Sequence, residues 1–117
     1  MRKDDLVRLR HMLDAAREAM EFARGRQRSD LNRDRMLTLC LVKCIEIVGE
    51  AAAKVSEETR AGCPSLPWAD VTGMRNRLIH GYFDIDLDRV WDTIKDDLPP
   101  LVAQLERIAS RGVDSSG

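Results

Sequence analysis

The ten residues Gly73-Met74-Arg75-Asn76-Arg77-Leu78-Ile79-His80-Gly81-Tyr82 hold two guanidinium groups, an amide, an imidazole and a phenol. No other stretch of the 117-residue chain gathers reactive side chains so densely. Arginine can clamp a phosphate through paired N–H donors, histidine can take and return a proton near neutral pH, and asparagine adds a neutral donor. These are the parts that phosphodiester cleavage needs: a group to take the proton of an attacking hydroxyl, a group to protonate the leaving oxygen, and positive charge for the developing phosphorane. RNA carries its own attacking hydroxyl at the 2′ position. On this reading Arg75 binds phosphate, His80 transfers protons and Asn76 donates a hydrogen bond, and no metal or other cofactor is required.

The spacing of Val71, Met74 and Leu78, opened by Pro67 and Trp68 and closed by Gly81, predicts that this stretch is the end of a helix. A histidine there would feel the negative end of the helix dipole, which favours its charged form. Positions i and i+5 of an ideal helix are about 140° apart around the axis, so Arg75 and His80 would not share one face. Either the last turn unwinds between Ile79 and Gly81, or a second copy of the chain completes the site. The competing reading is a plain helix end, with Arg75 paired to an aspartate, His80 capping carbonyls and Tyr82 packing.

The elements that must position the stretch can be read from apolar periodicity. Leu6, Leu9, Leu13, Ala16, Met20 and Ala23 form the stripe of a long amphipathic helix ending near Gly25, with Asp4 and Asp5 as its capping signal. A short basic loop from Gly25 to Ser29 leads to a second helix, capped by Ser29 or Asp30 and running to about Glu58. Its middle, Met36 to Ala53, is apolar on nearly every side, so it is the central rod of a bundle or also a dimer interface. Gly49 and Ala51 to Ala53 offer a smooth patch for close approach of another helix, with Glu50 beside it.

Residues Glu57 to Pro67 read as a loop, broken by Gly62, Pro64 and Pro67. After Gly81, the apolar Tyr82, Phe83, Ile85 and Leu87 suit an extended connector. Asp86 or Asp88 then caps a fourth helix with Val90, Trp91 and Ile94 inward. Pro99-Pro100 predicts a kink before a last helical segment. Six aspartates between Asp84 and Asp97 read as helix capping and a solvated acidic face, since no matching histidine or glutamate ligands accompany them.

A hydrophobic fraction of 44%, an aromatic fraction of 4% and many helix formers predict an all-α chain. One domain is expected over residues 1–111, followed by a disordered tail at 112–117. The net charge of −1 excludes a broad positive field for long nucleic acids, so any RNA contact must be local. Cys40, Cys44 and Cys63 form no CxxC pair and suit a reducing cytoplasm. Charges such as Lys43, Glu46 and Glu50 interrupt the longest apolar run, so no membrane span is expected.

The words Val48-Gly49-Glu50-Ala51-Ala52, Pro67-Trp68, the run from Gly73 to Asp86, Val90-Trp91 and Leu98-Pro99 resemble the HepT-like branch of the HEPN superfamily, across about residues 4–109. The family signature R-x-x-x-x-H-x-Y is met by Arg75, His80 and Tyr82. The resemblance implies an up-down bundle of four to five helices that dimerises, with the motifs of both subunits lining one cleft. It implies a metal-independent endoribonuclease toxin of a toxin and antitoxin pair, with RNA as substrate. The implied partner is an MntA-like nucleotidyltransferase, in a hetero-oligomer, that silences the toxin by transferring AMP to the motif tyrosine. Carried over residue by residue, Arg75 and His80 are catalytic, Tyr82 is the AMPylated side chain, and Asn76, Glu50 and Arg77 support the site. A different class of function also fits the chain, a non-enzymatic helical module that regulates or feeds a nucleotidyltransferase.

Overall fold

The computed structural model describes residues 1–81 and 84–116, with side chains given as far as Arg111. Its elements are α1 (Lys3–Ala23), α2 (Asp30–Arg33), α3 (Arg35–Ala53), α4 (Glu57–Gly62) and α5 (Trp68–Thr72). A 3-10 turn (Arg75–Arg77) and a hairpin of β1 (Ile79–His80) and β2 (Asp84–Ile85) follow. The chain ends in α6 (Leu87–Asp92), a π-helical turn (Thr93–Asp97) and α7 (Leu98–Ser116). The fold is all-α, with one two-strand ladder as its departure from helix among the described residues.

Long α1 and α3 pack along each other, and α7 lies against α1. Leu9, Met12, Ala16 and Ala19 of α1 meet Leu41, Ile45 and Val48 of α3 and Leu98, Leu101 and Leu105 of α7 in one buried cluster. The apolar rod is not covered all round: Met36 is 76% exposed and Leu39 45%, both on α3. Gly49 behaves as the small-residue patch predicts. A Cβ there would lie 3.3 Å from the Val71 carbonyl, so glycine lets α5 cross α3 at close range.

Two expected elements differ in the first half of the chain. The second helix is interrupted at Asp34, whose side chain accepts from the Leu37 amide at 3.0 Å and so starts α3 afresh, and it ends at Ala53 rather than near Glu58. The supposed loop at Glu57–Pro67 holds α4, because the Ser56 hydroxyl caps the Thr59 amide at 3.3 Å. Arg60 on α4 then donates to the last carbonyls of α3, Ala52 and Ala53, at 2.9 Å each, supplying partners that a helix end otherwise lacks.

Asp4 and Asp5 do not cap α1, which begins at Lys3 after Arg2 with no side-chain cap, because the Asp5 carboxylate is turned to Ser56 and Thr59 instead. Asp5 is 3% exposed and accepts three bonds, from the Ser56 amide at 2.9 Å and the Ser56 and Thr59 hydroxyls at 2.6 Å each. Burial pushes its carboxyl up, but those bonds together with Arg2 outweigh burial and hold it below the ordinary value.

The kink expected at Pro99-Pro100 is replaced by the π turn at Thr93–Asp97, and helical turns run without a break from Leu87 to Ser116. The wider π turn relieves the clash that each proline ring would otherwise make with the carbonyl four residues back, so Pro99 and Pro100 are accommodated within the helical run. Helical backbone continues to Ser116.

Candidate functional site

The stretch from Gly73 to Gly81 is not the tail of a helix. Helix α5 stops at Thr72, Gly73 caps it, and the backbone tightens into the 3-10 turn before entering β1. Met74 and Leu78 nevertheless occupy the core, at 5% and 0% exposure, and peg the turn at both ends. The Asp86 amide donates to the Leu78 carbonyl at 2.7 Å and locks the start of the hairpin. Gly81 turns the corner with φ of 77°, a conformation that glycine adopts without strain. The dipole argument for His80 therefore has no helix end to act through.

Between the pegs Arg75 and Asn76 face one cleft and Arg77 faces another. Arg75 leans toward α3, its Nε 3.5 Å from Glu46 Oε2, and its side chain is 47% exposed. Lys43 holds the other Glu46 oxygen at 3.1 Å. Arg75, Asn76 and Thr72 line an open cleft of about 420 Å³ whose other wall is the α3 face Glu46, Gly49, Glu50 and Ala53. These α3 positions are spaced by three and four, so they project from one side of the helix.

Arg77 points the other way. It bonds Asp70 at 3.0 Å and lines a separate cleft with Asp96 and Asp97 against α7. Burial, with Asp96 nearby, pushes the Asp97 carboxyl up, and Arg89 and Arg77 oppose that shift.

His80 stands on the hairpin with its side chain 69% exposed, and its Nε2 lies 3.5 Å from Asp86 Oδ2. Asp86 also caps α6 by accepting from the Arg89 amide at 3.0 Å. That backbone bond, more than the bond to His80, holds the Asp86 carboxyl below its ordinary range. Pairing Ile79 with Ile85 and His80 with Asp84 turns the two isoleucines toward the core and leaves the polar pair outside.

The structure thus brings together Glu50, Arg75 and Asn76, while His80 and Arg77 are not among the residues lining that cleft. Tyr82 lies outside the described residues. Two carboxylates stand beside the motif in ways its spacing does not show. Glu46 stood only as a charge interrupting an apolar run, although its spacing of four from Glu50 put both carboxylates on one helix face. Asp86 was read as a cap and is also the partner of His80.

No group of three or more metal-ligating side chains occurs among the described residues. Among the same residues, no helix is long and apolar enough to cross a membrane. All three cysteines are free, and burial, aided by Glu18, pushes the Cys44 thiol up to about 11, which leaves it unreactive at neutral pH.

A family model described as ribonuclease HepT-like matches residues 12–108. The chain belongs to that family. HepT-like relatives include a candidate RNase of Caldanaerobacter subterraneus subsp. tengcongensis, 33% identical over 88% of this chain and 92% of its own. A candidate RNase of Methanocaldococcus jannaschii is 30% identical over 90% of this chain and 96% of its own. A Thermococcus cleftensis protein named "Probable ribonuclease HepT" is 32% identical over 75% of this chain and 80% of its own. No solved structure gives a significant match.

Proposed function

We propose that this HepT-like chain is a metal-independent endoribonuclease toxin that acts as a homodimer. The observation that carries this reading is the Arg75 guanidinium, half exposed and held by Glu46 at the mouth of a cleft shared with Asn76 and Glu50. In the reaction Arg75 binds the scissile phosphate and neutralises charge as the phosphorane forms. His80 takes the 2′-hydroxyl proton or protonates the leaving oxygen, with Asp86 orienting its ring. Asn76 donates to a phosphate oxygen, Glu50 shapes the far wall, and Arg77 steadies the turn through Asp70.

A single imidazole cannot be acid and base at once, and His80 lies outside the lining of its own chain's cleft. Two copies related by a twofold axis supply both proton carriers. The exposed Met36 and Leu39 on α3 favour such a pairing, since it gives the uncovered side of the apolar rod a partner. We propose further that an MntA-like nucleotidyltransferase silences the toxin by transferring AMP from ATP to the Tyr82 hydroxyl, with pyrophosphate leaving. The added phosphate and bulk, two residues from His80, exclude the RNA phosphate by charge and by space.

Incubation of the purified protein with single-stranded RNA in excess chelator tests the activity. Cleavage is expected, and His80→Ala should remove it without changing the oligomeric state. Cleavage that chelator abolishes, or that survives in His80→Ala, contradicts the mechanism. Intact mass after co-expression with the nucleotidyltransferase should rise by AMP units in the wild type and stay unchanged in Tyr82→Phe.

A further inference from the structure

A second cavity, of about 330 Å³, lies on the hairpin side of the molecule between α2, the first turns of α3 and β2. Its walls include the apolar Leu31, Ile85 and Leu87, and its polar groups include Asn32, Arg35 and Asp84. Leu31 is buried, and Ile85 and Leu87 pack on the core, so the apolar walls are fixed in place.

The polar groups have bonding capacity to spare. Asn32 accepts a bond on Oδ1 from Arg28 at 2.7 Å, which leaves its amide nitrogen as the available end. Arg28 in turn bonds Asp88 at 2.7 Å, tying this rim to the start of α6. Arg35 makes no ion pair among the described residues, although Asp34 beside it binds Arg26 at 3.2 Å. A cation at the first position of α3 also faces the positive end of the helix dipole, so Arg35 sits where helix stability disfavours it. Asp84 is exposed, has no partner among the described residues, and pairs across the ladder with His80.

We propose that this cavity holds one base of the RNA substrate, and that the base is guanine. The inference rests on the ribonuclease reading, because the ladder pair His80–Asp84 joins the cavity to the proton-transfer residue. A phosphate is the poorer occupant, since Asp84 would repel it. A base with its faces against Leu31, Ile85 and Leu87 presents its edge to two donors and one carboxylate. Guanine offers acceptors at O6 and N7 for Arg35 and Asn32. Beside them it offers N1–H and the N2 amino group, two adjacent donors that engage both oxygens of Asp84. Adenine, cytosine and uracil lack that adjacent donor pair. Single-stranded RNA is read in this way, by bases splayed out of the stack and bonded on their edges.

The test has two arms. In the first, the four ribonucleoside monophosphates are titrated against His80→Ala protein, with binding followed by NMR. GMP should bind roughly tenfold or more tightly than the others, and Arg35→Met and Asn32→Ala, both at exposed positions, should erase the preference, as should Asp84→Asn. Equal binding of all four, no binding up to the solubility limit, or a preference that survives these variants overturns the proposal. In the second, a random single-stranded RNA pool is cut and the ends are sequenced. Guanine should be enriched at one position beside the cut, and the enrichment should vanish in Arg35→Met. Cutting with no guanine preference overturns the pocket and leaves the ribonuclease standing. Absence of cutting alongside GMP discrimination does the reverse: the pocket stands and the ribonuclease reading fails.

Discussion

Asp5 and Glu46 are both carboxylates close to the last turns of α3, and the chain treats them in opposite ways. Asp5 is sealed in the bundle with three donors at 2.6 to 2.9 Å, so its carboxylate is largely satisfied and closed to any ligand. Glu46 faces a cleft and shares two cations, Lys43 at 3.1 Å and Arg75 at 3.5 Å, both of which remain substantially exposed. The difference separates a polar group that holds the fold from one that faces an open cleft beside an exposed cation. Saturated capacity is structural, and spare capacity facing a cleft is available for chemistry.

The contrast can be broken most sharply at the motif. Arg75→Ala or His80→Ala should lower RNA cleavage by about a hundredfold or more, with stability changed by less than about 0.5 kcal/mol. A large fall in melting temperature for either would erase the distinction. Asp5→Ala should do the opposite and cost about 2–4 kcal/mol, because it strands buried donors of Ser56 and Thr59. Cleavage per folded molecule should stay at the wild-type level.

Acid titration sharpens the same contrast. The folded Asp5 carboxyl lies below its ordinary value of 3.8, so the unfolded chain binds the extra proton first as pH falls. Its stabilisation is complete above that ordinary value and is lost below it, as pH falls toward and through the folded value. Denaturant unfolding between neutral pH and pH 3 should therefore show a shallower acid decline for Asp5→Asn than for the wild type.

Gly49→Ala is the smallest of these effects. The new Cβ meets the Val71 carbonyl at 3.3 Å, so α5 must give by a few tenths of an ångström. A cost of about 1 kcal/mol and a several-fold loss of cleavage are expected, because α5 carries the turn that aims Arg75. Thermal melts and initial rates measure the two effects together. Loss of stability alone would mean that α5 does not set the position of Arg75.

The burial pattern around the site was legible in the sequence, and its backbone was not. Steps of three and four at Val71, Met74 and Leu78 put these residues in the core, and all three are buried. The same steps also suit a 3-10 turn, so they could not announce that the helix ends at Thr72. Strands of two residues are too short to show alternation, which concealed the hairpin carrying His80. The role of Asp5 was hidden for a different reason. Its partners Ser56 and Thr59 lie more than fifty positions away, and beside Asp4 it resembles an ordinary helix start. The family signature pointed to Arg75 and His80, but it carries no sign that Glu46 or Asp86 would stand beside them.

The π turn at Thr93–Asp97 has a consequence for how the chain can vary in length. Each of its hydrogen-bonded loops contains one residue more than an α-helical loop, and this slack lets Pro99 and Pro100 sit at the start of α7. Deleting one residue from the turn would return it to α-helical register, where each proline ring meets the carbonyl four residues back and costs about 3 kcal/mol. A single-residue deletion between Thr93 and Asp97 should therefore be tolerated only when the two prolines are replaced with it.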